Sequence, residues 1–188
     1  MRKKCGLLWG LLVLALFSGQ VFADGHLPMK GERLSRTCAG CHGTAGASPG
    51  VLIPIIGGQL QGYTAKALQG FVSEDRPGSV MLKLAKGYSA EEQQQIAEYF
   101  SAQPWVNTKH ATKATLTVDL TKSCQGCHGK KGEGKGNFPR IAGQHPEYLF
   151  QALVEYKKGE RKDSLMMLTR KMDEATLQQL ATGYAAIK

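Results

Sequence analysis

Cys124-Gln125-Gly126-Cys127-His128 decides how this chain reads, and Cys38-Ala39-Gly40-Cys41-His42 states the same pattern 86 positions earlier. Each is a C-x-x-C-H, the spacing that attaches a c-type haem. Thiols at i and i+3 share one face of a helical turn, so both can add to the two vinyl groups of one porphyrin. The histidine that follows then offers a neutral imidazole nitrogen to the iron. A single copy would be rare by chance. Two copies imply two covalently bound haem c groups.

Working outward, the two halves lie over each other. Pro54-Ile55-Ile56-Gly57-Gly58-Gln59 matches Pro139-Arg140-Ile141-Ala142-Gly143-Gln144; Tyr63 matches Tyr148, and Phe71 matches Tyr156. Ser89-Ala90-Glu91-Glu92 matches Asp173-Glu174-Ala175-Thr176, each a helix N-cap with an acidic first turn. The offset drifts only from 86 to 84, as a duplicated domain with two small gaps would give.

The periodicity predicts an all-α fold of two tandem domains. Helices are expected from about Pro28 to Cys41, Gly62 to Val72 and Ser89 to Ala102, then near Thr117–Cys127, Pro146–Lys158 and Asp173–Ile187. Gly43 to Pro54, rich in Gly, Ser and Pro, reads as a loop. The expected boundaries are residues 24–103 and 116–188, with 104–115 as linker.

The first residues have the form of a secretory leader: Arg2, Lys3 and Lys4, an apolar run from Leu7 to Phe17, then Val21-Phe22-Ala23. We expect residues 1–23 to be removed on export. The apolar run of about 11 residues is too short for a span needing ~20, so no membrane span is expected after cleavage. The remaining chain keeps four cysteines, all in the two motifs. Its charge falls from +9 to +6, and two propionates per haem bring it to about +2. A basic sequence of this kind is no sign of nucleic-acid binding.

A sixth ligand separates electron carriers from haem enzymes, since His/Met ligation typifies cytochromes c whereas an open site invites ligand chemistry. Met81 is the one methionine between the first motif and the last helix of its half, in the loop Arg76-Pro77-Gly78-Ser79-Val80-Met81. The repeat offset of 85 lands it on Met166, and the offset of 86 on Met167. Met166 is favoured, with Met172 left to the core in place of Tyr88. Pro54 and Pro139 have carbonyls free to accept the second ring N–H of His42 and His128. His26, His110 and His145 have no counterpart in the other half and are expected in solvent. So is a basic face of Lys130, Lys131, Lys135, Lys157, Lys158, Arg161 and Lys162, which could steer an acidic redox partner.

Competing readings fit less well. Zinc modules space their C-x-x-C pairs by about 15–20 residues and leave the two histidines unexplained. A thioredoxin-like enzyme needs a βαβ pattern that is missing, and a haem enzyme needs one iron without its methionine.

Paired C-x-x-C-H units with Pro-x-Ile-x-Gly-Gln, a tyrosine four residues on and a loop methionine resemble diheme c-type cytochromes of the cytochrome c4 group. The stretch Arg76 to Ser89 resembles still more the cytochrome subunit of flavocytochrome c sulfide dehydrogenase. The resemblance spans essentially the whole chain after the leader. It implies that Cys38, Cys41, His42 and Met81 serve one haem and that Cys124, Cys127, His128 and Met166 or Met167 serve the other. It further implies a periplasmic electron carrier, not an enzyme, with its haem domains face to face. Electrons would come from a flavoprotein that oxidises sulfide, or pass from a free carrier to a terminal oxidase.

Overall fold

The computed structural model describes residues 30–106 and 118–187. The leader, His26, His110 and most of the expected linker lie outside the described residues. Among the described residues the chain is helical, with a single isolated bridge between Lys135 and Phe138 in place of any strand. The first half holds α1 (Lys30–His42), α2 (Gln61–Val72), α3 (Ser79–Ala85) and α4 (Ala90–Ser101). The second holds α5 (Val118–His128), α6 (Pro146–Lys158), a 3-10 helix (Met166–Lys171) and α7 (Glu174–Ala185).

Each half has its own core. Leu68, Phe71, Ala85, Ile96 and Phe100 form the first; Leu149, Leu180, Ala181, Tyr184 and Ala185 form the second. The helices begin where their caps stand. Ser89 accepts from the Glu92 amide while the Glu92 carboxylate accepts from the Ser89 amide, a reciprocal capping box. Asp173 caps α7 by accepting from the Thr176 amide at 2.7 Å. α1 crosses α4 closely at Gly31, where a Cβ would stand 2.3 Å from the Gln95 carbonyl oxygen.

Met81 sits in the first turn of α3, not in a loop as its sequence suggests. Pro77 and Gly78 do break the chain, but the Leu82 amide returns to the Gly78 carbonyl at 2.8 Å and starts a helix of seven residues. The matching segment of the second half is the 3-10 helix, so each candidate methionine rides on a short helical piece.

Two reciprocal clasps join the halves. Gln144 accepts from the Ile55 amide and donates to the Ile55 carbonyl, both at 2.9 Å. Gln59 does the same with the Arg140 amide and carbonyl, again at 2.9 Å. Ion pairs Lys66–Asp163 (3.1 Å) and Lys162–Asp75 (3.0 Å) tie the rim. Arg140 also lies over the Trp105 ring at 4.8 Å, so residues just beyond the expected end of the first domain pack against the second half. His145, expected in solvent, is buried at 1% exposure and donates from Nε2 to the Ser48 carbonyl at 3.0 Å. The turn that carries it docks on the loop of the other half.

Candidate functional site

α1 and α5 each end on the histidine of the motif, with the two cysteines one and four residues before it. A glycine then turns the chain: Gly43 at φ 77° and Gly129 at φ 86° adopt the left-handed conformation that closes a helix. The loops that follow fold back on themselves. Amides of Ile56 and Gly57 meet the Gly46 carbonyl, as amides of Ile141 and Ala142 meet that of Gly132. This brings Pro54 and Pro139 against the rings, and Nδ1 of each histidine lies 2.8 Å from its proline carbonyl, His42 on Pro54 and His128 on Pro139.

That contact fixes the tautomer. A carbonyl oxygen can only accept, so Nδ1 carries the hydrogen and Nε2 keeps its lone pair for a metal. Burial pushes both imidazoles below their usual range, against the opposing pull of the proline carbonyls. The rings are therefore neutral, the form that ligates. Burial raises the Cys38 and Cys124 thiols, and all four motif cysteines are free.

Both histidines line one cavity of about 890 Å³ that runs between the halves. Cys38 and Met81 line it beside His42, and Cys124, Cys127 and Met166 beside His128. Cys41 is exposed and is not among the residues that line the cavity. Met167 points outward at 44% exposure and is no part of the wall, while Met172 lines the cavity and packs on the second core. Core aromatics such as Phe71 and Phe100 form the apolar wall.

Part of the cavity wall is polar, and apart from the matched tyrosines no sequence signal marked it. Arg76 donates to the Tyr63 hydroxyl at 3.1 Å and, across the halves, to the Tyr148 hydroxyl at 2.8 Å. Its Nε is closed from solvent and has no hydrogen-bond partner. Arg161, expected on a solvated face, is buried at 7% exposure, 3.4 Å from the Glu155 carboxylate and over the Tyr156 ring. Burial raises the Tyr148 phenol, yet the two guanidiniums outweigh it and hold the group below its ordinary range. Both guanidiniums thus lie on the cavity wall, and only Arg161 is paired with a carboxylate, that of Glu155.

These residues fit a haem. The cavity is deep and apolar, thiols and an imidazole lone pair stand at its wall, and an orphaned guanidinium nitrogen suits the carboxylates of a porphyrin. A zinc site is not built: among the described residues no three His, Cys, Asp or Glu side chains converge on a metal position.

Known proteins agree with this geometry. The cytochrome c family matches residues 116–182. A cytochrome c-552 of Acidithiobacillus ferridurans is 30% identical over 173 residues, covering 82% of this chain and 75% of that protein. The cytochrome subunit of sulfide dehydrogenase of Chlorobaculum tepidum is 51% identical over 71 residues, 38% of this chain and 64% of its own length. Other relatives are thiosulfate dehydrogenase electron acceptors. The solved cytochrome c4 of Acidithiobacillus ferrooxidans shares the fold with a TM-score of 0.69 at 24% identity, over 80% of this chain and 98% of that one. With two C-x-x-C-H helices, two cores and a shared cavity between them, the chain belongs to the cytochrome c family as a diheme electron carrier of the c4 type, with covalently bound haem c and no catalysis of its own.

Proposed function

We propose that His42 and Met81 complete one iron and His128 and Met166 the other, in domains 24–103 and 116–188. We further propose that the protein works in the periplasm as the electron-accepting subunit of a flavoprotein sulfide dehydrogenase. The observation that carries the ligand assignment is the doubled arrangement of an Nδ1-anchored histidine and a methionine on one cavity wall. Separate cores in the two halves support the domain boundaries, and the leader-like stretch supports export.

Each bound haem supplies one-electron exchange between ferric and ferrous iron. The chain does the rest. Cys38 and Cys41, and Cys124 and Cys127, anchor the two groups; Pro54 and Pro139 orient the imidazoles; the apolar wall keeps water from the iron. Arg76 and Arg161 offer their cationic face to the haem carboxylates. Met166 is preferred to Met167 because only the former lines the cavity.

A reductive titration with visible spectra tests the ligand set. Two one-electron steps are expected, with the weak methionine–iron band accounting for both ferric haems. Ready binding of carbon monoxide by one reduced haem would show an open iron and defeat the assignment there.

The partner rests on the 51% identity with the sulfide dehydrogenase subunit. That likeness spans only 38% of the chain, whereas the cytochrome c-552 likeness spans 82%, which favours a second reading: a free carrier that delivers electrons to a terminal oxidase. Sulfide-dependent reduction that requires a co-purifying flavoprotein supports the subunit. Reduction unaffected by the flavoprotein, with rapid oxidation by a terminal oxidase, supports the free carrier.

A further inference from the structure

The clasps that join the halves end on the same peptide groups that hold the histidines. The Pro54 carbonyl, which accepts from His42 Nδ1, and the Ile55 amide, which donates to Gln144, are the two ends of one peptide unit. The Pro139 carbonyl and the Arg140 amide are likewise one unit, running from His128 to Gln59. Each chain of contacts is therefore a histidine, a single planar peptide and a glutamine from the opposite half, at 2.8 and 2.9 Å.

Resonance makes a peptide group responsive along this line. Pulling on its N–H draws the amide nitrogen's electrons toward the carbonyl oxygen, which becomes the stronger acceptor. A stronger acceptor at Nδ1–H makes the imidazole a more electron-rich ligand, and second-sphere hydrogen bonding is one of the protein's levers on haem potential. The glutamines are well placed for this. Each Oε1 also accepts from the amide that follows it in the chain, Leu60 or His145, at 3.0 Å, while Nε2 is held by the opposite carbonyl. Neither side chain is free to turn away.

We infer that Gln144 and Gln59 are positioning residues that act crosswise, Gln144 tuning the potential of the first-half haem through the Pro54–Ile55 peptide and Gln59 that of the second-half haem through the Pro139–Arg140 peptide. This rests on the reading of His42 and His128 as iron ligands. It also gives the interface a second role besides holding the halves together: each haem's electronic setting depends on the other half being docked.

The test is a spectroelectrochemical titration of the intact diheme protein, each potential being assigned to its haem by proton NMR of the partly reduced protein. Gln144→Leu removes the acceptor for the Ile55 amide, so the first haem's potential is expected to shift upward while the second stays in place. Gln59→Leu should give the mirror result. Gln59→Leu carries the test if Gln144→Leu does not fold. The His42 Nδ1 proton should move upfield in Gln144→Leu, and the His128 Nδ1 proton in Gln59→Leu. A downward shift of both haems in either leucine variant would mean that the interface had merely opened to water, and it overturns the proposal. So does a shift confined to the haem in the mutated glutamine's own half. Spectra that retain two methionine-ligated haems while the potentials fail to cross sink this inference alone; wild-type spectra lacking histidine ligation sink the ligand reading with it.

Discussion

Met166 and Met167 differ by one position and face opposite ways, one into the cavity wall and one 44% exposed. Replacing each with alanine separates them. Met166→Ala should abolish the methionine–iron band of one ferric haem and open that iron to carbon monoxide, whereas Met167→Ala should leave the visible spectrum unchanged. At this scale the motif cysteines and histidines were legible because covalent haem attachment demands those residue types at that spacing. The choice between adjacent methionines was legible only as a preference for Met166, since a repeat with gaps offers two offsets and only the folded chain shows which side chain lines the cavity. His145 was misread for a different reason. Its neighbours form a Gly-Gln-His-Pro turn, normally a surface feature, and what buries it is the Ser48 loop, 97 residues away in the other half.

Helix boundaries followed from local chemistry where caps were strong. Ser89 and Asp173 stand where the sequence placed them, and Ser89→Ala should cost about 1 kcal/mol of stability through loss of the α4 cap, measured by denaturant unfolding of the holoprotein. α3 was illegible. Its seven residues follow Arg76-Pro77-Gly78, a breaker signal that hides a helix too short for periodicity to declare itself. The α1–α4 crossing was equally silent, although Gly31 is its signature. A Cβ there would press on the Gln95 carbonyl, so Gly31→Ala should destabilise the first half by about 1–3 kcal/mol through overpacking. The change would appear as a lowered unfolding midpoint with the second-half haem spectrum the last to alter.

The duplication and the two-domain plan were readable from matched residues, because repeats leave their mark in the one-dimensional order. The docking of the halves was not. The Gln59 and Gln144 matches were visible, yet nothing local distinguishes a glutamine in solvent from one that clasps another domain's backbone. Removing either side chain takes the partner from two backbone N–H groups and one C=O. Gln144→Ala and Gln59→Ala should each cost about 1–3 kcal/mol, the former more because the Ile55 contacts are the more deeply buried. Thermal unfolding of the two variants checks this.

The rim adds a dependence on pH. Lys162, helped by Ser73, holds the Asp75 carboxyl below its usual range, and Lys66 does so for Asp163 against the opposing effect of burial. Folded values lie below unfolded ones, so the contribution is present above the ordinary carboxylate pKa of about 3.9 and fades as pH falls through the folded values. Unfolding measured from neutral pH down into that acid range should show stability lost progressively, and added salt at neutral pH should weaken the same contacts modestly.

The two clasps exchange partners under a shift of 85 positions: Gln59 becomes Gln144 and Ile55 becomes Arg140. A contact that maps onto itself in this way is isologous, the form taken by a two-fold homodimer. One glutamine in a single ancestral unit would have served both sides of such a dimer at once. Fusing two copies end to end then converts an association that depended on concentration into one fixed within a molecule, and it frees each copy to diverge. His145, standing where the first half has Leu60, is a mark of that divergence: a bond that one half can now make and the other cannot.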